Sequence, residues 1–152
     1  MHFIFRRTAL LFLALWILAA PGATRAAPAS YAFDCSGFAD LMRSASCNGK
    51  VILGISGMGY VDRPVYTATV APGETLSITV TSIRLSSAGS GWPACVTFDA
   101  RTVDGSIRPQ FCAATTKTVW VNTTTTTQTV PVHVNTFTAL FSIYFKGTIN
   151  VS

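Results

Sequence analysis

From Val51 onward, apolar and polar residues alternate with a period of two, the pattern of strands that bury one face and wet the other. In TLSITVTSI, Leu76, Ile78 and Val80 share one parity, while Thr75, Ser77, Thr79 and Thr81 hold the other. VYTATV places Tyr66, Ala68 and Val70 on one side. Between these runs lies Ala71-Pro72-Gly73-Glu74, where proline presets φ and glycine accepts the positive φ of a type II turn. The pair is therefore expected to form a hairpin. Further strands are predicted at 51–56, 94–100, 117–121 and 129–134. A closing run keeps Ala139, Phe141, Ile143, Phe145, Ile149 and Val151 on one parity. Many short strands separated by Gly, Pro and Asp turns predict an all-β fold, a single two-sheet antiparallel sandwich over 51–152.

The five threonines of TVWVNTTTTTQTVPVHVN are β-branched and suit a pleated surface, so they are not linker chemistry. They are read as a solvent-facing turn between two strands. Val119 and Val121 point one way before it, and Val130, Val132 and Val134 after it. Pro131 cannot donate to a ladder, which places the second strand near an edge or bulge. Between residues 27 and 50 the pattern changes. Phe38, Leu41 and Met42 have helical spacing, so a short helix is expected within a disulfide-bonded lead-in.

The chain opens with MHFIFRR, a basic segment, then the apolar ALLFLALWILAA and the helix-breaking PGATRA. These are the parts of a secretory signal, with cleavage expected after Ala26. The apolar run Ala9–Ala20 is too short for the roughly 20 residues that span a bilayer, so no membrane span is expected after cleavage. Cleavage removes Arg6, Arg7 and Arg25, leaving eight of the eleven basic residues against six acidic ones. The remaining excess of two, without a Lys/Arg cluster, excludes a nucleic-acid stripe. Cys35, Cys47, Cys95 and Cys112 follow the signal, an even count that predicts two disulfides in a secreted or periplasmic protein. Three pairings are possible; the sequence-local one, Cys35–Cys47 with Cys95–Cys112, is favoured. The C-x11-C and C-x16-C spacings do not match zinc fingers, so no metal and no cofactor is expected.

ISGMGYVDRPVYTATVAPGETLSITV resembles the opening of bacterial pre-peptidase C-terminal domains. It shares a glycine-bearing strand, an acidic loop at Asp62, an aromatic strand at Tyr66 and a Pro-Gly turn. CVTFDARTVDG resembles the next landmark, and FSIYF the closing strand. The chain departs from the pattern at Arg63-Pro64, where the family carries a second aspartate, and at TVPVHV, where it carries a Gly-x-Tyr strand. The resemblance covers about residues 51–150. It implies a jelly-roll-like sandwich acting as a secreted accessory module that binds extracellular polymers or aids delivery of a partner.

Catalytic chemistry is sparse. His133, the one histidine after the signal, lies in a valine-alternating strand and reads as structural. No G-x-S-x-G elbow occurs, paired cysteines leave no thiolate, and GISGMG fits no phosphate loop. Glu74, Asp99 and Asp104 read as solvated turn carboxylates rather than a Ca²⁺ set. The expectation is therefore not an enzyme, although a carboxylate pair converging in a cleft would suit a small secreted hydrolase. Binding candidates are aromatic. Trp92 sits in SSAGSGWPAC behind a tether of small residues, where it would present a ring or fold over the Cys95 disulfide. Trp120 and Tyr144 lie in strands on parities opposite the aliphatic faces. The leading expectation is a non-catalytic module that contacts a polysaccharide or protein polymer. A structural subunit of a surface assembly, extended by strand addition at the Pro131 edge, is the alternative. Two glycosylation sequons occur, at Asn122 and Asn150.

Overall fold

The computed structural model describes residues 28–38, 44–56, 59–87, 91, 93–101, 103–136 and 142–152. They form eleven strands: β1 (Ala29–Phe38), β2 (Ser44–Cys47), β3 (Lys50–Ser56), β4 (Gly59–Asp62), β5 (Tyr66–Val70), β6 (Thr75–Leu85), β7 (Val96–Ala100), β8 (Gln110–Phe111), β9 (Thr115–Val121), β10 (Gln128–Thr136) and β11 (Ile143–Val151). Seven make a curled sheet in the order β4-β3-β2-β1-β11-β6-β9, and four make a smaller sheet in the order β5-β10-β7-β8. Every pairing is antiparallel. The all-β, two-sheet reading is correct.

The predicted alternation directs burial. Leu76, Ile78 and Val80 of β6, and Ile143, Phe145, Ile149 and Val151 of β11, turn inward and are buried. They meet Val96, Phe98, Ala100, Val130, Val132 and Val134 of the smaller sheet. Phe98 anchors the contact, with ring centroids 5.3 Å from Phe33, 5.6 Å from Phe111 and 6.1 Å from Phe145. Each such aromatic pair adds about 0.5–1.5 kcal/mol beyond the area it buries. Gly147 lies where β11 crosses Phe33. A Cβ there would come within 2.7 Å of the Phe33 ring and would strike the backbone of Thr79, so this strand position admits glycine alone.

The expected hairpin is corrected. The turn itself forms: the Glu74 N–H donates to the Ala71 carbonyl at 3.0 Å, and Gly73 has φ +80°. But β5 belongs to the small sheet and β6 to the large one, so the turn carries the chain from one layer to the other. Type II turns splay their flanking strands, whereas tight hairpins use the mirror-image types. The two apolar faces consequently meet across the core. Asn122, fully buried, fastens this arch. Its backbone N–H donates to Glu74 O and its carbonyl accepts from Gly73 N–H. Its side-chain amide donates to Val70 O at 2.8 Å and Thr126 O at 2.9 Å.

Two strand-level expectations also change. Val119 and Val121 do not point the same way: Val119 and Trp120 are both buried while Val121 is 41% exposed. Leu76 pairs with Trp120 and Ser77 with Thr118, so Val119 is the extra residue of a β-bulge that resets the parity. Pro131 lies in β10, an interior strand. The β7 ladder joins β10 only at Val132, so Pro131 has a neighbour on one side alone and its missing N–H is tolerated.

The 27–50 segment supplies β1 and β2 to the large sheet, and Phe38 ends β1 as strand. The expected helix otherwise falls on 39–43, outside the described residues, and no helix occurs among the described residues. The expected signal segment, residues 1–26, also falls outside them. Both disulfides take the sequence-local pairing, Cys35–Cys47 and Cys95–Cys112. Loops of this size stabilise by roughly 3 kcal/mol each in the chain-entropy model. Two such bonds are compatible with an oxidising compartment.

Candidate functional site

The side of the large sheet turned away from the core is built from the second parity of its strands. Directly opposed residues share a face, so the strand registers set rows across it. One row runs Ser30, Asn150, Ser77, Thr118; the next runs Ala32, Thr148, Thr79, Thr116. Hydrogen bonds knit them. Ser30 Oγ donates to Asn150 Oδ1 at 2.8 Å. Asn150 Nδ2 donates to Thr79 Oγ1 at 3.3 Å and Thr148 Oγ1 at 3.2 Å. Thr79 and Thr116 hydroxyls meet at 2.8 Å. The only charges in the next row, Lys146 and Asp34, neutralise each other at 2.8 Å. Beyond them Tyr144 pairs with Arg84 and Ser36, and the Arg84 guanidinium lies 4.4 Å over the Tyr144 ring centroid. From Tyr144 to Asn150 the face is about 20 Å long, and four strands make it about 14 Å wide.

At one corner this face meets a groove of roughly 340 Å³. Ile107, Val119, Trp120 and Val121 give it apolar walls, and Asp104, Thr118 and Thr123 border it. Trp120 is held by its indole N–H, which donates to the Asp104 carbonyl at 3.0 Å. Ile107 N–H donates to Val119 O at 2.9 Å, fixing the far wall against the bulge.

The small sheet carries a different kind of polar cluster. His133 and Asp99, opposed across β10 and β7, are both buried. His133 Nδ1 lies 2.8 Å from Asp62 Oδ1, and an ionised carboxylate can only accept, so this nitrogen is the donor. Arg101 bridges Asp62 and Asp99, reaching the latter at 3.3 Å, and Arg108 reaches Asp99 at 3.4 Å. Partial burial works to raise the Asp62 pKa, but the hydrogen bonds from Arg101 and His133 outweigh it and hold the carboxyl below its usual range. The same bond to Asp62 raises Arg101. Among the described residues no hydroxyl or thiol hydrogen-bonds to His133. Asp62 and Asp99 converge, yet on arginines. The cluster ties β4, at one edge of the large sheet, to the small sheet.

Of the aromatic candidates, Trp92 lies outside the described residues. Trp120 is buried and shows only an edge to the groove, and Tyr144 is half-buried on the outer face. They do not converge on one site: Tyr144 marks one end of the face and Trp120 the opposite corner. Asp99 is not a solvated turn residue, being 3% exposed, and Glu74 is buried with its Oε2 accepting from Ala71 N–H at 2.8 Å. The Asn122 sequon is closed in the folded chain because its amide is buried and engaged. The hydroxyl rows were missed by sequence reasoning. Their signal was present as the polar, uncharged parity of β6 and of Thr148 and Asn150 in β11. Among the described residues no helix is long and apolar enough to cross a membrane, and no group of three His, Cys, Asp or Glu side chains is placed to hold a metal. Comparison with protein-family models, curated proteins and solved structures finds no match.

Proposed function

We propose that this chain is a secreted or periplasmic, non-catalytic module that binds an extracellular polysaccharide across the outer face of its large sheet. The observation that carries this reading is the hydrogen-bonded platform of Ser30, Asn150, Thr148, Thr79 and Thr116, broad and almost free of net charge. Hydroxyls and amides donate and accept at once, as sugar hydroxyls do, and therefore match them without fixing one polarity. Threonine has few side-chain rotamers to lose, and the cross-strand bonds order the groups before any ligand arrives. Tyr144 adds an aromatic surface for the apolar side of a sugar ring. A jelly-roll-like topology and kinship with pre-peptidase C-terminal domains belong to the same proposal and rest on the sequence resemblance over about residues 51–150.

Cosedimentation of the purified, disulfide-bonded protein with insoluble glycans and with collagen tests it. Saturable glycan binding, weakened at least tenfold by Thr79→Val with Thr148→Val, is the expected result. Binding to collagen alone, or glycan binding indifferent to these substitutions, would overturn it.

A further inference from the structure

The groove beside Trp120 is continuous with the platform. Thr118 stands in the outer row with Ser77, and Val121, opposed to Thr75, has the same outward parity; both also line the groove. A polymer lying along the rows therefore runs its end or an edge substituent into this corner. The walls are unlike the rest of the face. Val121 is 41% exposed and Ile107 54%, large apolar side chains left open beside the residual edge of Trp120. The border residues Thr118, Thr123 and Asp104 bring two hydroxyls and a carboxylate. A neutral, fully hydroxylated sugar would waste the apolar walls, whereas a purely apolar ligand would desolvate the border without return.

The acetamido group meets both demands. Its methyl suits Ile107 and Val121, its N–H suits a carboxylate acceptor, and its carbonyl suits a threonine hydroxyl donor. The volume, at the small end for ligand pockets, admits a single sugar residue rather than a longer segment. Resting on the platform reading, we infer that the polymer recognised is an N-acetylhexosamine glycan, with one acetamido-bearing residue seated between Ile107, Trp120 and Val121.

Titration calorimetry with N-acetylchitohexaose and cellohexaose, oligomers of equal length and linkage that differ at the acetamido group, tests this. The expected result is at least tenfold tighter binding of the acetylated oligomer, with the difference abolished by Val121→Glu. Ile107→Glu, on the opposite wall and in a segment outside the strands, is expected to do the same, and unchanged melting temperatures would show that both variants fold. Equal affinity for the two oligomers, or an acetyl preference that survives both substitutions, would overturn the inference and leave the platform reading standing. Failure of both oligomers to bind, together with failure of every glycan to cosediment, would overturn the platform reading and this inference with it.

Discussion

The polar side of the small sheet spends its hydrogen bonds on itself, whereas the outer face of the large sheet keeps much of its capacity facing water. Around β7 and β10, Asp62, Asp99, Arg101, Arg108 and His133 satisfy one another, and Asp99 and His133 are nearly closed to solvent. Charges in such a place are costly unless paired, so their arrangement speaks of holding the two sheets together. Across β1, β11, β6 and β9 the groups are hydroxyls and an amide, bonded along the surface yet open above it. Perturbation of the first region should appear as lost stability, and perturbation of the second as lost binding.

The largest effect is expected from Asp99→Ala. Removing a carboxylate whose side chain is only 5% exposed leaves Arg101 and Arg108 without that partner. Because Arg108 is largely exposed and adds little, the loss should be about 2 kcal/mol in chemical denaturation, with glycan binding by the folded protein unchanged. Acid is the next lever. The Asp62 pKa is lower in the folded chain, so its contribution is fully present above the unfolded carboxylate pKa near 4 and is lost as pH falls through the folded value. Asp62→Asn should flatten that part of the stability profile, and a profile identical to wild type below about pH 4 would contradict the assignment. Asn150→Ala, which removes the hub of the outer network, should cost about 0.5–1 kcal/mol but weaken glycan binding clearly. Thr116→Val, smallest in stability at within about 0.5 kcal/mol, should still reduce binding. A large loss of stability without loss of binding in either of the last two would erase the contrast between the faces.

Much of the fold was legible because it rests on local signals. Alternation located β6 and most of β11, the Pro-Gly pair located the turn at 71–74, and cysteine spacing favoured the observed disulfides. What failed was non-local. A turn type was read, but the layer each flanking strand joins depends on pairings with β10 and β11, more than 50 residues away in sequence. One extra residue at Val119 placed Trp120 on the same buried side as Val119 and turned Val121 outward, since a bulge is set by the partner strand's register. The charged cluster joins Asp62, Arg101 and His133, three distant positions that no spacing motif connects. The outer rows were half visible: each strand's polar parity could be read, but alignment into one platform required the sheet order.

The most direct test is backbone amide NMR of the labelled, disulfide-bonded protein titrated with soluble oligomers of an insoluble glycan that retains it in cosedimentation. Shift changes confined to β1, β11, β6, β9 and the adjoining groove wall at Ile107, centred on Ser30, Thr148, Thr79 and Thr116 with Asp99 and His133 silent, are predicted. Changes centred instead on Asp99, Arg101 and His133 would contradict the account.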